Sequence, residues 1–532
     1  MRRYGAALYP LLFAAALVVA VAARSPGQYR FADLALVTAS AAALAALGLV
    51  LALLVVSLVE RGDRAVPLAA AHAMLGVAWI FYYVPAQTVL AGFVGRFARG
   101  ALLVPLGAVA SIVAIIWLFR QPRARLDSLS AFMTRFGVLL LAIVAAQLAL
   151  SLRGSRTAVN ESALARELAR PVPMAAVPPA ERNTPQRDIY LIVLDEHPNG
   201  RVMREVLGYD DSAFEDTLRA LGFVIPRAMQ SNYAQTFLSL ASLLNATHLT
   251  QLTRDEGATS RSYALPSHLT ENNRVARFMK SLGYRYVLFP SAWFPATQDS
   301  PLADAIADPW PARSLATELR RTELRRAVVR STLLRRWSTT MSSDRSFDLR
   351  FMEALRRMPA DSAPTFVFAH TILSHYPYYL DASCRELEQP LAPSQSEDGL
   401  TPYRAARVAQ LRCVDSLVVD VVTALLHESR PAPVILLVGD HGTQLGDPSY
   451  LQRPDHVSPA FVRERFGAFG AFHLPAGGDS ALAGSVTLVN VMGHVLRYYF
   501  GAELPPSPDE RYVSGLEPYR FFRVDSSGGI VR

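Results

Sequence analysis

The first 152 residues carry five apolar spans, at 5–24, 33–59, 67–94, 100–119 and 135–152, each long enough to cross a hydrocarbon core about 30 Å thick. Nothing else in the chain restricts its fold as strongly, and the expectation is an all-α domain of five transmembrane helices. The spans also account for the composition, since 51% hydrophobic residues over 532 positions, with a mean hydropathy of +0.20, exceed what an ordinary soluble enzyme carries. "VVAVAARS" at 18–25 has the form of a signal-peptide cleavage site. Four further spans follow it, which favours retention as a first membrane helix.

Arg2, Arg3, Arg61, Arg64, Arg120, Arg123, Arg125 and Arg135 fall on one side of these spans, against Arg24, Arg30, Arg96 and Arg99 in the opposite loops. The bias puts the N-terminus in the cytoplasm. Five crossings then deliver everything after residue 153 to the outside, with Arg153 and Arg156 running against the bias. The implied setting is a bacterial inner membrane with a periplasmic or extracellular catalytic domain. A net charge of +8 comes with no nucleic-acid motif and suits anionic lipid headgroups. Cys384 and Cys413 are the only cysteines, and both fall in the exterior part. In an oxidising compartment they read as a disulfide, with two free thiols as the alternative, and their lack of metal-type spacing argues against a Cys-ligated zinc site.

The domain expectation is a membrane part at 1–152, a linker at 153–187, a catalytic domain at 188–515 and a tail at 516–532, disordered from Asp525. The linker combines a short helical stretch from Ala163 with a Pro-rich tether ending at Arg187. Buried-strand runs occur at 188–196, 284–289, 365–370, 433–440 and 467–474, and helical patterns at 212–221, 269–282, 403–427 and 487–499. Alternation of the two predicts a doubly wound α/β sheet. The segment 318–337 departs from this scheme, with a dense Arg face beside Leu324, Val328, Leu334 and Trp337. It reads as a helix on the outer leaflet or as a solvated insertion.

Ligands in such folds bind beyond the carboxyl ends of the strands. The run "VILLVGDHG" ends there in Asp440 and His441, and "DIYLIVLDE" ends in Asp195 and Glu196. Carboxylates with an imidazole suit one divalent metal, Zn or Mn ahead of Ca or Mg. Thr236 stands where "SNYAQT" turns into an apolar helical run, a position in which backbone amides and a cation favour its alkoxide, although a plain helix cap has the same appearance. "HTILSH" supplies His370 and His375, one structural and one available to phosphoryl oxygen or leaving group, and His456 is a further candidate. His197 and His248 read as structural, and Asn232, Tyr233 and Asn273 as residues that line the pocket.

This order of motifs, "LDE", helix-opening Thr236, "HTILSH" and "GDHG", behind a five-span anchor, resembles the alkaline phosphatase and sulfatase superfamily. Within it the chain is similar to the membrane-anchored branch that contains lipoteichoic acid synthase and phosphoethanolamine transferases. The resemblance implies that Glu196, Thr236, Asp440 and His441 hold one metal, that Thr236 is the nucleophile, and that His375 and His456 contact phosphate. Asp195 is implied as a supporting group or an alternative ligand. No C/S-x-P-x-R motif surrounds Thr236, which disfavours sulfate-ester hydrolysis, and "LDEHPNG" differs from the acidic motifs of both transferase groups. The expected activity is transfer of a phospho-alcohol headgroup from a membrane lipid to a glycan, lipid or other envelope acceptor, through phospho-Thr236. A hydrolase of phosphate or sulfate esters is the alternative, and a non-catalytic envelope protein a third reading.

Overall fold

The computed structural model describes residues 7–24, 29–94, 100–175, 186–291, 295–309, 314, 318–319, 322–335, 345–358, 363–391, 397–445, 448–478 and 482–531. Arg2, Arg3, Arg96, Arg99, residues 176–185 of the tether and Trp337 lie outside them. The chain divides into two compact units, one of Met1–Ser155 with Ser314–Ser342 and one of Arg156–Arg313 with Ser343–Arg532.

The first unit is helical. Five helices follow the five spans: α1 (Tyr9–Ala23), α2 (Phe31–Val59), α3 (Ala65–Leu90), α4 (Gly100–Phe119) and α5 (Arg123–Glu161). Three of them, α2, α3 and α5, are long and apolar enough to cross a membrane, and the protein is membrane-anchored. With 15 residues, α1 is about 22 Å long. Tyr9, Phe13, Leu17, Val18 and Val21 of α1 are buried in one cluster with Val37, Ala41 and Phe81. Leu51, Leu54, Leu58, Leu106, Val109 and Ile112 point outward, as expected where lipid replaces water.

The Arg-rich segment is an integral part of this unit. Thr322 caps its helix Glu323–Arg330 through the Arg325 amide, Leu324 and Val328 are buried in the α1 cluster, and Arg335 donates to Gln87 Oε1 at 3.1 Å. Arg326 turns back onto Glu323 at 2.7 Å. Its apolar face therefore packs on protein, which differs from both a leaflet helix and a solvated insertion.

The second unit is the expected doubly wound sheet. Its strands are β1 (Ile189–Leu194), β2 (Arg285–Phe289), β3 (Ala305–Ile306), β4 (Thr365–Thr371), β5 (Val434–Val438) and β6 (Gly470–His473), in spatial order β3-β2-β4-β1-β5-β6. Only β6 is antiparallel to its neighbour. The unbroken apolar runs follow from burial on both faces. Leu191, Val193, Leu436 and Val438 meet α7 (Thr236–Asn245) and α10 (Leu488–Phe500) on one face, through Leu240, Leu244, Val491 and Val495. Tyr190, Ile192, Ile435 and Leu437 meet α8 (Arg345–Arg356) and α9 (Glu397–Glu428) on the other, through Phe351, Leu355, Val414 and Val418.

Two stretches expected to lie outside the catalytic fold, a tether that includes a short helix and a disordered tail, are packed. Residues 162–175 belong to the catalytic unit. Ser162 caps α6 (Ala163–Leu168), the Leu164 amide donates to Asp255 at 3.1 Å, and Leu164, Ala165 and Leu168 enter the core. The tail is ordered too, since Phe522–Val524 pairs with Arg511–Val513, Ile530 bridges Val524, and Tyr519 is fully buried. Asp525 looks like a disordered terminus in sequence because its partners, the Ser527 and Gly529 amides, form a local turn with no apolar signature. Cys384 and Cys413 form a disulfide.

Leu168→Ala in the full-length detergent-solubilised protein is expected to cost roughly 2–5 kcal/mol, the price of a core cavity. Thermal unfolding of the catalytic unit reads it, and an unchanged transition returns α6 to the status of a tether.

Candidate active site

β1 and β5 pair with Val193 opposite Val438, so Asp195 and Asp440 leave the sheet side by side two residues later. Between them the chain is held by backbone contacts that only glycine permits. A Cβ on Gly439 would strike the His197 carbonyl, and one on Gly442 the Glu464 carbonyl. Glu196 takes a left-handed conformation, φ 62°, and its amide donates to Asp440 Oδ1 at 2.9 Å while Arg407 Nη2 donates to its carbonyl at 2.8 Å. These bonds offset the strain of a side chain at that φ.

Asp195, Asp440 and His441 each offer one ligand atom, and these atoms all lie within 4.8 Å of one another. His441 Nδ1 is 3.0 Å from the Gly442 carbonyl, which can only accept. Nδ1 therefore carries the proton and Nε2 presents its lone pair to the cluster. Burial, reinforced by the Arg465 charge, holds this imidazole well below its usual range, so the ring is neutral. Thr236 Oγ1 is 3.1 Å from the same Nε2, and Arg465 Nη2 is also at 3.1 Å. Thr236 opens α7 as its first residue and is half-buried, and the preceding Gln235 anchors that helix end by donating to the Ser514 carbonyl at 2.8 Å. The hydroxyl thus faces the cluster instead of capping its own helix.

The electrostatics are those of a cation site. Burial and the neighbouring Asp195 charge push the Asp440 carboxyl up to about 7. Burial also raises Asp195, but the His370 hydrogen bond at 3.2 Å and the nearby imidazoles outweigh it and hold that carboxyl well below the usual range. Asp195 Oδ1, Glu196 Oε2 and Asp440 Oδ2 are buried with no hydrogen-bond partner. Such atoms are costly unless paired. Three carboxylates here face two buried guanidiniums, Arg407 and Arg465, at 3.4 and 3.6 Å from Glu196 Oε1. The charge left over and the orphaned oxygens of Asp195 and Asp440 beside the His441 imidazole fit a divalent ion, whereas Glu196, expected as a ligand, stands outside that group of three with its Oε2 3.5 Å from His375 Nε2.

The remaining expected residues separate by position. His370 is buried, with Nε2 on Asp195 and Nδ1 3.2 Å from Thr297 Oγ1. His375 is 17% exposed, with Nε2 3.5 Å from Glu196 Oε2 and Nδ1 on the Tyr376 carbonyl, so it is the histidine of the pair that reaches the rim. His456 is 56% exposed on the turn Pro454–His456, beside Asp455 at 3.5 Å, and is not brought into the cluster. Leu451 and Pro454 crowd Gly515, whose carbonyl accepts from Gln235, so the turn carrying His456 borders the start of α7. His197, on Asp415 at 3.0 Å, and His248, on the Pro508 carbonyl at 2.7 Å, are structural. Asn232 and Tyr233, expected to line the pocket, tie backbone at Glu510, Val489 and Leu249, and Asn273 caps a helix.

Arg407 and Arg465 are not among the residues expected from sequence. Their signal is a polar side chain at an apolar helical position: Arg407 is a turn from Tyr403 and Leu411 on the buried face of α9, and Arg465 is three residues beyond the buried Val462.

The structure thus shows a doubly wound sheet whose strand ends hold carboxylates and an imidazole against a helix-opening hydroxyl. The Sulfatase family matches residues 206–477, just over half of the chain, and the chain belongs to that family. The match includes Thr236, His375, Asp440, His441 and His456 and begins after Asp195 and Glu196. Solved structures similar to it include the C-terminal periplasmic domain of EcEptC from Escherichia coli, at 12% identity over 68% of this chain and 98% of that one, with a TM-score of 0.44. The lipoteichoic acid synthase LtaP from Listeria monocytogenes is similar at 10% identity over 71% and 92%, TM-score 0.39. The integral membrane lipooligosaccharide phosphoethanolamine transferase A from Neisseria meningitidis is similar at 13% identity over 92% and 94%, TM-score 0.36. No curated protein sequence matches the chain.

Asp440→Asn is expected to lower bound divalent metal per chain at least about tenfold, measured by elemental analysis of the purified protein. Chelation should lower the melting temperature of the wild type and leave that of Asp440→Asn unchanged. Without metal the variant should melt above the wild type, because one of two neighbouring buried carboxylates has lost its charge.

Proposed function

We propose that this membrane-anchored sulfatase-family enzyme moves a phospho-alcohol headgroup from a membrane lipid to a glycan, lipid or other envelope acceptor, on the outer face of a bacterial inner membrane. Thr236 is its nucleophile. The reading rests on one observation above others: a half-buried hydroxyl at a helix N-terminus, 3.1 Å from an imidazole lone pair, beside buried carboxylate oxygens without partners. The apolar helices favour a substrate that is itself in the membrane.

Glu196, Thr236, Asp440 and His441, with Asp195 beside them, are the groups that would hold a divalent ion, Zn or Mn by donor type. Such an ion stabilises an alkoxide and the charge of a phosphoryl group. Thr236 releases its proton to solvent, its Oγ1 bonds to phosphorus, and the bond from phosphorus to the diacylglycerol oxygen breaks. Protonated His375, at the rim, gives the leaving oxygen its proton. In the second half an acceptor hydroxyl passes its proton to His375 and attacks phosphorus, the bond from Thr236 to phosphorus breaks, and Thr236 regains a proton from solvent. Little covalent work falls to other groups, since phosphoryl transfer depends mainly on positioning and charge.

Intact mass of the detergent-purified protein, incubated with lipid extract and Mn or Zn, tests this. The wild type is expected to gain an adduct whose mass identifies the headgroup, Thr236→Ala none, and turnover should fall at least about a thousandfold in the variant. Headgroup release to water without an adduct or acceptor product would make the enzyme a hydrolase. Equal behaviour of the two proteins would remove Thr236 as nucleophile.

A further inference from the structure

The rim imidazole stands on a segment with little regular structure. After β4 the chain runs through 372–377 without helix or strand, so its backbone groups need partners from elsewhere. α9 supplies them from one face. Gln410 alone makes four bonds: its Nε2 donates to the carbonyls of Leu373 at 2.7 Å and His375 at 3.5 Å, and its Oε1 accepts from the amides of Tyr379 at 2.8 Å and Leu380 at 3.0 Å in the short strand Tyr378–Leu380 that follows. One turn earlier Arg407 donates to Tyr378 Oη at 2.6 Å, and Tyr403 Oη lies 3.2 Å from the same oxygen. One turn later Cys413 is bonded to Cys384. Positions 403, 407, 410 and 413 are spaced four, three and three residues apart, which places them on one helix stripe. Arg407, Gln410 and Cys413 are fully buried.

Arg407 also reaches the other side of the site. Its second nitrogen donates to the Glu196 carbonyl at 2.8 Å, so one guanidinium joins the segment carrying His375 to the loop carrying Glu196. Ser374 adds a bond to the Asp195 carbonyl at 2.7 Å. Buried Arg and Gln in an otherwise apolar stripe cost stability unless their donors are used, and here both Arg407 Nη atoms and the Gln410 amide are bonded to the segment after β4 and the Glu196 loop.

We propose that Arg407, Gln410 and the Cys384–Cys413 disulfide are positioning residues that fasten segment 373–384 to α9 and so set His375 against the carboxylate cluster. This rests on the proposed role of His375 in transfer. Loss of the Gln410 or disulfide fastening then affects the chemical step and leaves the binding of the cation alone, whereas Arg407 also supports Glu196.

The test uses the full-length protein in detergent, with Gln410→Glu, which keeps the acceptor and removes the donor to Leu373, and with the paired Cys384→Ser and Cys413→Ser substitutions, which leave the polar stripe intact. Hydrogen exchange over 372–384 is expected to speed up about tenfold in both, while exchange over 440–445 and metal per chain stay at wild-type values. kcat should fall about ten- to a hundredfold with KM nearly constant. In a His375→Ala background the same changes should cost less than about twofold, because their effect passes through the missing ring. Equal costs in both backgrounds, or unchanged exchange over 372–384, overturn the proposal. Should Gln410→Glu not fold, the cysteine pair provides the same readouts. Should the wild type lack transfer and hydrolysis altogether, the proposed function fails, and exchange over 372–384 still decides whether these residues hold the segment.

Discussion

The catalytic unit is organised around an electrostatic difficulty. Asp195, Glu196 and Asp440 are all within 2% of complete burial at adjoining strand ends, where like charges repel strongly and desolvation penalises each of them. The surroundings answer this in layers. His370 bonds Asp195, Arg407 and Arg465 stand over Glu196, and backbone amides of Glu196 and His441 are aimed at Asp440 Oδ1. What they leave unmet includes one oxygen each of Asp195 and Asp440, grouped with His441, which is where Thr236 arrives. A site short of positive charge beside a half-buried hydroxyl is the pairing on which the proposed transfer rests.

Features distant from the cluster support it. The glycines of "GDHG" are there because the strand end lies against the carbonyls of His197 and Glu464. The polar stripe of α9 bonds the loop after β4 at the Leu373 and His375 carbonyls and the amides of Tyr379 and Leu380 just beyond it. Most of the remaining unit is ordinary two-sided burial of apolar strands between helices.

Much of this was legible in the sequence, and the exceptions have a physical pattern. Strands of the central sheet showed as apolar runs since both faces are covered, and the residues just beyond them, Asp195, Glu196, Asp440 and His441, stood out against those runs. Thr236 was marked by the change from polar to helical period. Arg407, Gln410 and Arg465 did not stand out, because a single polar residue on a helix reads as solvent-facing until the packing partner is known. α6 reads in sequence as a helical piece of a tether, and the tail from Asp525 as loose chain, for a related reason. Leu164 and Leu168 are a short apolar pair whose core lies far along the sequence, and the Asp525 turn is closed by local hydrogen bonds. In the Arg-rich segment Leu324 and Val328 stand out as an apolar face, but among seven arginines between 318 and 336 nothing shows that protein and not lipid covers them.

The place of that segment in the chain has a practical consequence. Residues 314–342 interrupt the catalytic unit in sequence but belong to the helical unit, so the backbone passes between the two units three times, near residues 155, 314 and 342. A single proteolytic nick in the Pro-rich stretch before Arg187 cannot liberate the enzyme half as a free piece. A truncation that starts at residue 188 would carry Leu324 and Val328 into water without the helices that cover them, and would also discard α6 from the core. Separating the halves cleanly takes two edits, retention of 162–175 at the front and excision of 314–342 in the middle.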